Sequence, residues 1–175
     1  IHEQTHATLF LKDHVQFNEE LATFVGWEGA LEFLGSRYGT DSREYRRAVD
    51  RLSDWRRFNE MLLGLHDELD RAYREAGSRL AALAAKERLV AGFNEAVAAE
   101  VFRPEGFDDF EGIPANNAYI LAVVNYNQDL ELFYRLRKAI DGDVRRTLEV
   151  VRETVAAGGD PKEALRNRLG ELERL

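Results

Sequence analysis

The apolar residues between positions 42 and 102 recur every three or four positions, and this spacing constrains the fold more than any other feature. They are Leu52, Trp55, Phe58, Leu62, Leu65, Leu69, Tyr73, Leu80, Leu83, Leu89, Phe93, Val97 and Val101. Side chains so spaced lie on one face of an α-helix. A single helix of about 60 residues would exceed ordinary helix lengths. Because Ala76-Gly77-Ser78 interrupts the series, we predict two long antiparallel helices with a bend near Gly77. One continuous helix is the alternative.

The rest of the chain also shows helical patterns, and no alternating strand pattern exceeds a few residues. We predict helices over 2–11, 17–38, 116–140 and 144–157, with a last helix capped by Asp160 and carrying Pro161 at its first position. Gly39 should end the second helix, and 103–115 should form a loop. The predicted fold class is therefore all-α, a helical bundle with a long hairpin. We divide it into 1–38, 39–102 and 103–175, within one domain truncated at its N-terminus.

Composition excludes several classes of function. The 175 residues carry a formal net charge of −8, and the arginines alternate with acids, so nucleic acid is not an expected partner. The chain has no Cys, which excludes disulfides and thiolate metal sites. No apolar run reaches the roughly 18 residues of a membrane span. The first residue is Ile1 and not Met, so we infer that upstream residues are missing and that localisation is unknown.

The opening residues, HEQTH, form an H-E-x-x-H motif. On a helix, His2 and His6 share one face and can bind one zinc ion, with Glu3 beside them as general base. A catalytic zinc site needs a third protein ligand and an open position for water. The stretch FNEELATFVG offers Glu19 for this role, and Glu20 is the rival. The alternative reading is an exposed helical face that happens to carry two histidines.

Two segments resemble a known family. HEQTHATLFLKDHVQFNEELATFVGWEG and GIPANNAYILAVVNYNQDLELFYRL are similar to blocks of a bacterial family of predicted zinc aminopeptidases related to the gluzincin metallopeptidases. The resemblance implies that Glu19, which follows Asn18, is the third ligand. Many gluzincins carry an Asp four residues after the ligand Glu, where it orients a ligand histidine. Here that position is Thr23, so its hydroxyl or another group would have to serve.

The expected chemistry is hydrolysis of a peptide substrate with Zn²⁺ as cofactor. Zinc would activate water and polarise the scissile carbonyl, and Glu3 would take the proton of that water. Tyr126 is our candidate donor to the oxyanion, with a core aromatic as the alternative. Asn116 and Asn117 could bind the substrate main chain, or could cap a helix.

A different hypothesis is a helical binding or scaffold protein with a structural or vestigial zinc, in which His14 or Glu20 closes the fourth position. A different zinc hydrolase is a third candidate. The resemblance also suggests the cell envelope, with any membrane association made by a missing N-terminal segment. We expect the edge strand that pairs with substrate in zincin peptidases to lie upstream as well. Substrate preference and oligomeric state cannot be read from the sequence.

Overall fold

The structure, a computed structural model, describes residues 1–100, 102 and 116–174. Over these residues it contains eight α-helices and no strand, so the all-α prediction is confirmed. The helices are α1 (His2–Thr8), α2 (Val15–Tyr38), α3 (Arg43–Glu75), α4 (Arg79–Ala99), α5 (Asn117–Asn127), α6 (Leu130–Ala139), α7 (Val144–Val155) and α8 (Pro161–Leu172). Every helix in these described ranges is too short or too polar to cross a lipid bilayer.

The chain divides into two compact units. The first joins Ile1–Tyr45 to Asn125–Leu175, and the second is Arg46–Val124. These boundaries differ from the three segments drawn from the sequence, whose division stays a prediction.

The first unit is organised around a ring cluster on α2 and α6. The Phe133 ring lies 5.6 Å from the Phe17 ring and 5.8 Å from the Phe24 ring, measured between centroids. All three side chains are almost fully buried. Removing a ring of this kind typically costs about 3–5 kcal/mol of folding free energy. The apolar faces of α7 and α8 complete this core with Val144, Val150, Val151, Val155, Leu165 and Leu169.

The second unit contains the predicted helical hairpin. Its core residues are Phe58, Leu62, Leu65, Leu69, Val90, Phe93, Val97, Ile120 and Val124. The break between α3 and α4 falls at 76–78, and the Ser78 hydroxyl accepts a hydrogen bond from the Ala81 N–H as a helix cap. The bend near Gly77 is therefore confirmed, and the single continuous helix is wrong. The predicted loop at 103–115 lies outside the described residues.

The helix expected over 116–140 is wrong as one helix, because it is two. The segment breaks at Gln128 and Asp129, between α5 and α6. The Asp129 N–H donates to the buried Glu20 carboxylate at 3.1 Å, a side chain from a distant part of the chain. Asp129 then stands at the N-cap of α6. A long-range hydrogen bond has replaced the backbone bond that would have continued the helix.

The ends of several other helices are set by the residues at those ends. α1 ends at Thr8 and not at 11, because Leu9 adopts an extended conformation. Asp13 has a positive φ of 67° in the turn before α2, which begins two residues earlier than predicted, at Val15. Gly39 ends α2 with φ 86°. Asp160 caps α8, and its carboxylate accepts from the Glu163 N–H at 2.7 Å, as the sequence predicted.

Candidate metal centre

The short helix α1 lies directly against α2 in the first unit. Thr5 is buried on the inner face of α1, and its hydroxyl donates to the Ile1 carbonyl at 3.1 Å. A Cβ built on Gly26 would lie 3.8 Å from the His2 Cβ, and one built on Gly29 would lie 3.5 Å from Ile1. These two glycines leave α2 without side chains where α1 approaches it. The beginning of α1 therefore lies close to the backbone of α2.

Asn18 fixes the connection between the two helices. Its side-chain oxygen accepts from the Leu11 N–H at 2.9 Å, and its side-chain nitrogen donates to the Leu11 carbonyl at 2.8 Å. Only 1 % of Asn18 is exposed. Both backbone groups of Leu11 are therefore satisfied by one amide, as a neighbouring strand would satisfy them. This clamp sets where the chain leaving α1 meets the first turn of α2.

His2, His6 and Glu19 converge as a result. The His2 Nε2 lies 3.3 Å from Glu19 Oε2, and the His6 Nε2 lies 3.6 Å from Glu19 Oε1. The two imidazole rings stand edge to face, with centroids 4.9 Å apart. One ligand atom from each residue lies within 4.8 Å of the other two. The side chains are 19–31 % exposed, so the group is accessible from solvent.

These donors fit a divalent metal of the zinc type. Two imidazoles and one carboxylate are a common catalytic zinc set. Ligand atoms bound at about 2.0–2.1 Å in a tetrahedron stand roughly 3.3–3.5 Å from one another. The His2 nitrogen lies 3.3 Å from one Glu19 oxygen, and the His6 nitrogen lies 3.6 Å from the other. One ligand atom from each of the three residues lies within 4.8 Å of the other two, so small side-chain adjustments would complete the set.

Tyr126, near the end of α5, lies beside the same group. Its ring centroid is 6.1 Å from that of His2. The negative charge of Glu19 raises the pKa of the Tyr126 phenol above its ordinary value, with smaller contributions from partial burial, a hydrogen bond with Glu19 and the charge of Glu3. The phenol therefore stays protonated at neutral pH and can act as a donor. Glu3 is exposed and close enough to influence this phenol.

The support behind the histidines differs from the usual pattern. Metal-binding histidines generally donate their second ring N–H to an acceptor. The His6 Nδ1 is buried, and within the described part of the chain it has no hydrogen-bond partner. No hydrogen bond connects Thr23 to either imidazole in that same part of the chain. Thr23 therefore does not take over the role that an Asp has in many gluzincins.

The rival ligands are placed elsewhere. Glu20 is fully buried and faces Lys162 and Asp129, not the histidines. His14 stands at the N-cap of α2 and is not part of the converging group. The structure thus brings Glu19, and neither of these two, to the imidazoles.

The two asparagines predicted to bind substrate belong to the second unit. The Asn116 side chain accepts from the Ala118 N–H at 2.9 Å, a helix-capping bond. The Asn117 side chain accepts from the Tyr73 hydroxyl at 3.2 Å. Their contact with substrate stays a prediction.

Sequence reasoning noted Asn18 only as the neighbour of Glu19 and did not find the clamp. The available signal was the place of Asn18, just after a short turn and just before the candidate ligand Glu19. Asn side chains often form hydrogen bonds with nearby backbone groups, so a clamp on the turn could have been expected.

We expect Asn18→Ala to lower the free energy of unfolding by about 1–3 kcal/mol. The Leu11 N–H would lose its partner, and the Leu11 carbonyl would keep the longer bond from the His14 N–H, at 3.3 Å. Urea denaturation measures the change. Thr8→Ala is the control, because it removes a side-chain bond to the Gln4 carbonyl on the exposed side of α1. Thr8→Ala should change the free energy of unfolding by no more than about 0.5 kcal/mol. If both substitutions changed the free energy of unfolding equally, the Asn18 clamp would make no special contribution to stability.

Comparison with known proteins identifies the family. A family model described as "Putative aminopeptidase" matches residues 1–165, nearly the whole chain. Curated proteins gave no match, and solved structures gave none. The matched range includes α1, α2, Tyr126 and the first turn of α8. The chain therefore belongs to this aminopeptidase family.

Proposed function

We propose that the protein is a zinc-dependent aminopeptidase whose metal ligands are His2, His6 and Glu19. The observation that carries the proposal is the convergence of two imidazole nitrogens and two carboxylate oxygens at 3.3 and 3.6 Å, on elements fixed by a buried clamp. Membership in an aminopeptidase family supports peptide hydrolysis as the reaction.

Each residue of the candidate site has its own role in the proposed hydrolysis. A bound zinc ion would polarise the scissile carbonyl and lower the pKa of water to about 7. Glu3 lies next to His2 on α1, and its carboxylate takes the proton of the attacking water and passes it to the leaving amine. The Tyr126 hydroxyl donates to the oxygen that becomes negative as the carbonyl is attacked. Asn116 and Asn117 remain candidates for holding the substrate main chain.

The alternative of a structural zinc would close the fourth position with a protein group. Of the two groups considered for this, Glu20 is committed to Lys162, and His14 does not join the group. Within the described residues the converging ligands are three, which favours a position left for water and substrate.

Glu19→Gln should abolish tight zinc binding. Even outer-shell partners of a metal site contribute about 10–100-fold to affinity, so loss of a direct ligand should cost more than about 100-fold. Calorimetric zinc titration of the metal-free protein measures this. Glu163→Gln is the matched control, because Glu163 is an exposed glutamate on α8. Unchanged affinity in Glu19→Gln would exclude Glu19 as a ligand.

Glu3→Gln should keep zinc and lose hydrolysis, because an amide of nearly the same shape cannot accept the proton from water. Zinc content and turnover of short peptides are measured on the same preparation. The neighbouring substitution Gln4→Ala changes an exposed side chain and should retain turnover. If metal-loaded Glu3→Gln remains active, another group is the base.

Tyr126→Phe should lower kcat by roughly 100-fold, about 3 kcal/mol, which is the effect of removing one donor to an oxyanion. Zinc content should not change, because the phenol is not a ligand. Tyr119→Phe is the control on the same helix, since Tyr119 is also solvent-exposed. A normal kcat in Tyr126→Phe would leave Tyr126 without a catalytic role.

A further inference from the structure

Glu20 is a buried carboxylate that the proposed chemistry does not use. It is 0 % exposed, although it directly follows the half-buried Glu19 in the sequence. Successive residues of an α-helix point about 100° apart, so the two carboxylates leave α2 in different directions. Burial raises the pKa of Glu20, and the nearby Lys162 opposes this effect. Burying a charged carboxylate is unfavourable, so the position of Glu20 calls for a structural explanation.

The partners of Glu20 form a closed cluster. The Lys162 Nζ lies 2.8 Å from Glu20 Oε2 and donates to Glu20 Oε1 at 3.1 Å. It also donates to Asp129 Oδ2 at 2.6 Å, and Arg166 donates to Asp129 Oδ1 at 3.2 Å. The negative charges of the two carboxylates therefore equal the positive charges of Lys162 and Arg166, and all four side chains belong to the first unit. Replacing buried ion pairs of this kind by apolar side chains is often neutral for stability or even favourable. Stability alone does not explain the cluster.

The cluster ends at the break that follows Tyr126. Glu20 Oε1 accepts from the Asp129 N–H at 3.1 Å. One turn earlier on α2, the Gln16 side chain donates to the Gln128 side chain at 2.7 Å. Both residues of the break are thus attached to the first turns of α2. Tyr126 lies only two residues before Gln128, and its ring centroid lies 6.1 Å from that of His2.

We propose that Glu20 is a positioning residue that places Tyr126 over the metal centre, by accepting the Asp129 N–H and so fixing the end of α5. Lys162, from α8, keeps the carboxylate in place. The expected effect on peptide hydrolysis rests on the proposed function, whereas the expected effect on the position of Tyr126 does not.

Lys162→Met alone would leave the Glu20 charge buried without its ammonium partner, which can prevent folding. The test therefore compares two double variants that contain no such charge, Glu20→Gln/Lys162→Met and Glu20→Met/Lys162→Met. The amide oxygen can still accept the Asp129 N–H, and the Met side chain cannot. Arg166→Met is the control, because Arg166 is exposed and, among the described residues, pairs only with the Asp129 side chain.

The first measurement is the ¹⁹F NMR signal of 3-fluorotyrosine at position 126, which needs no activity. Glu20→Gln/Lys162→Met and Arg166→Met should keep the wild-type signal and its response to zinc. Glu20→Met/Lys162→Met should displace or split it. Signals that stay unchanged in all variants, or that move equally in the two double variants, would overturn the proposal.

The second measurement is peptide turnover. Glu20→Met/Lys162→Met should lose roughly as much kcat as Tyr126→Phe, about 100-fold, at unchanged KM and zinc content. Adding Tyr126→Phe to it should change kcat by no more than about 2-fold, because both changes remove the same interaction. A fully additive loss would overturn the proposal. If the wild type cleaves no peptide but the NMR signals behave as expected, the proposed function fails and the positioning role stands.

Discussion

The two hydrogen bonds between the Asn18 side chain and the backbone of Leu11 are the constraint on which the candidate site depends. α1 has seven residues, too few for a helix to be stable alone in water. It is held by packing at Gly26 and Gly29 and by the connection that Asn18 clamps. Because His2 and His6 belong to this dependent helix, their distance from Glu19 is set by the clamp and by the packing, not by helix propensity.

The first turns of α2 serve several elements at once because neighbouring side chains on a helix point in different directions. Asn18 holds the chain leaving α1, Glu19 faces the histidines, and Gln16 and Glu20 hold the break after α5. One rigid element therefore carries the candidate metal ligand Glu19 and sets the position of the groups on both sides of it. A helix suits this role better than a loop, since its own backbone bonds fix the angles between these side chains.

Sequence reasoning predicted those features whose cause is local. Asp160 begins a helix as its cap, Gly39 ends one at a positive φ, and the interruption at Ala76-Gly77-Ser78 marks the bend, so neighbouring residues reveal these boundaries. The break at Gln128 and Asp129 could not be found in this way. The group that takes the Asp129 N–H belongs to Glu20, 109 residues earlier. A pattern of apolar residues gives no sign of such a partner, and the periodicity of 116–140 continues through the break.

The pair Glu19-Glu20 shows where the sequence leaves the site open. Both are glutamates on the same turn of α2, and neither residue type nor spacing decides which one faces the histidines. The difference lies in what surrounds each: Glu20 faces Lys162, which offsets part of the cost of burying a carboxylate, and Glu19 faces imidazole nitrogens. Because Lys162 comes from α8, a C-terminal helix without a motif of its own contributes to the selection of the candidate ligand. Because Glu20 is held inside by Lys162 and by the Asp129 N–H, which carboxylate faces the histidines is a property of the whole first unit.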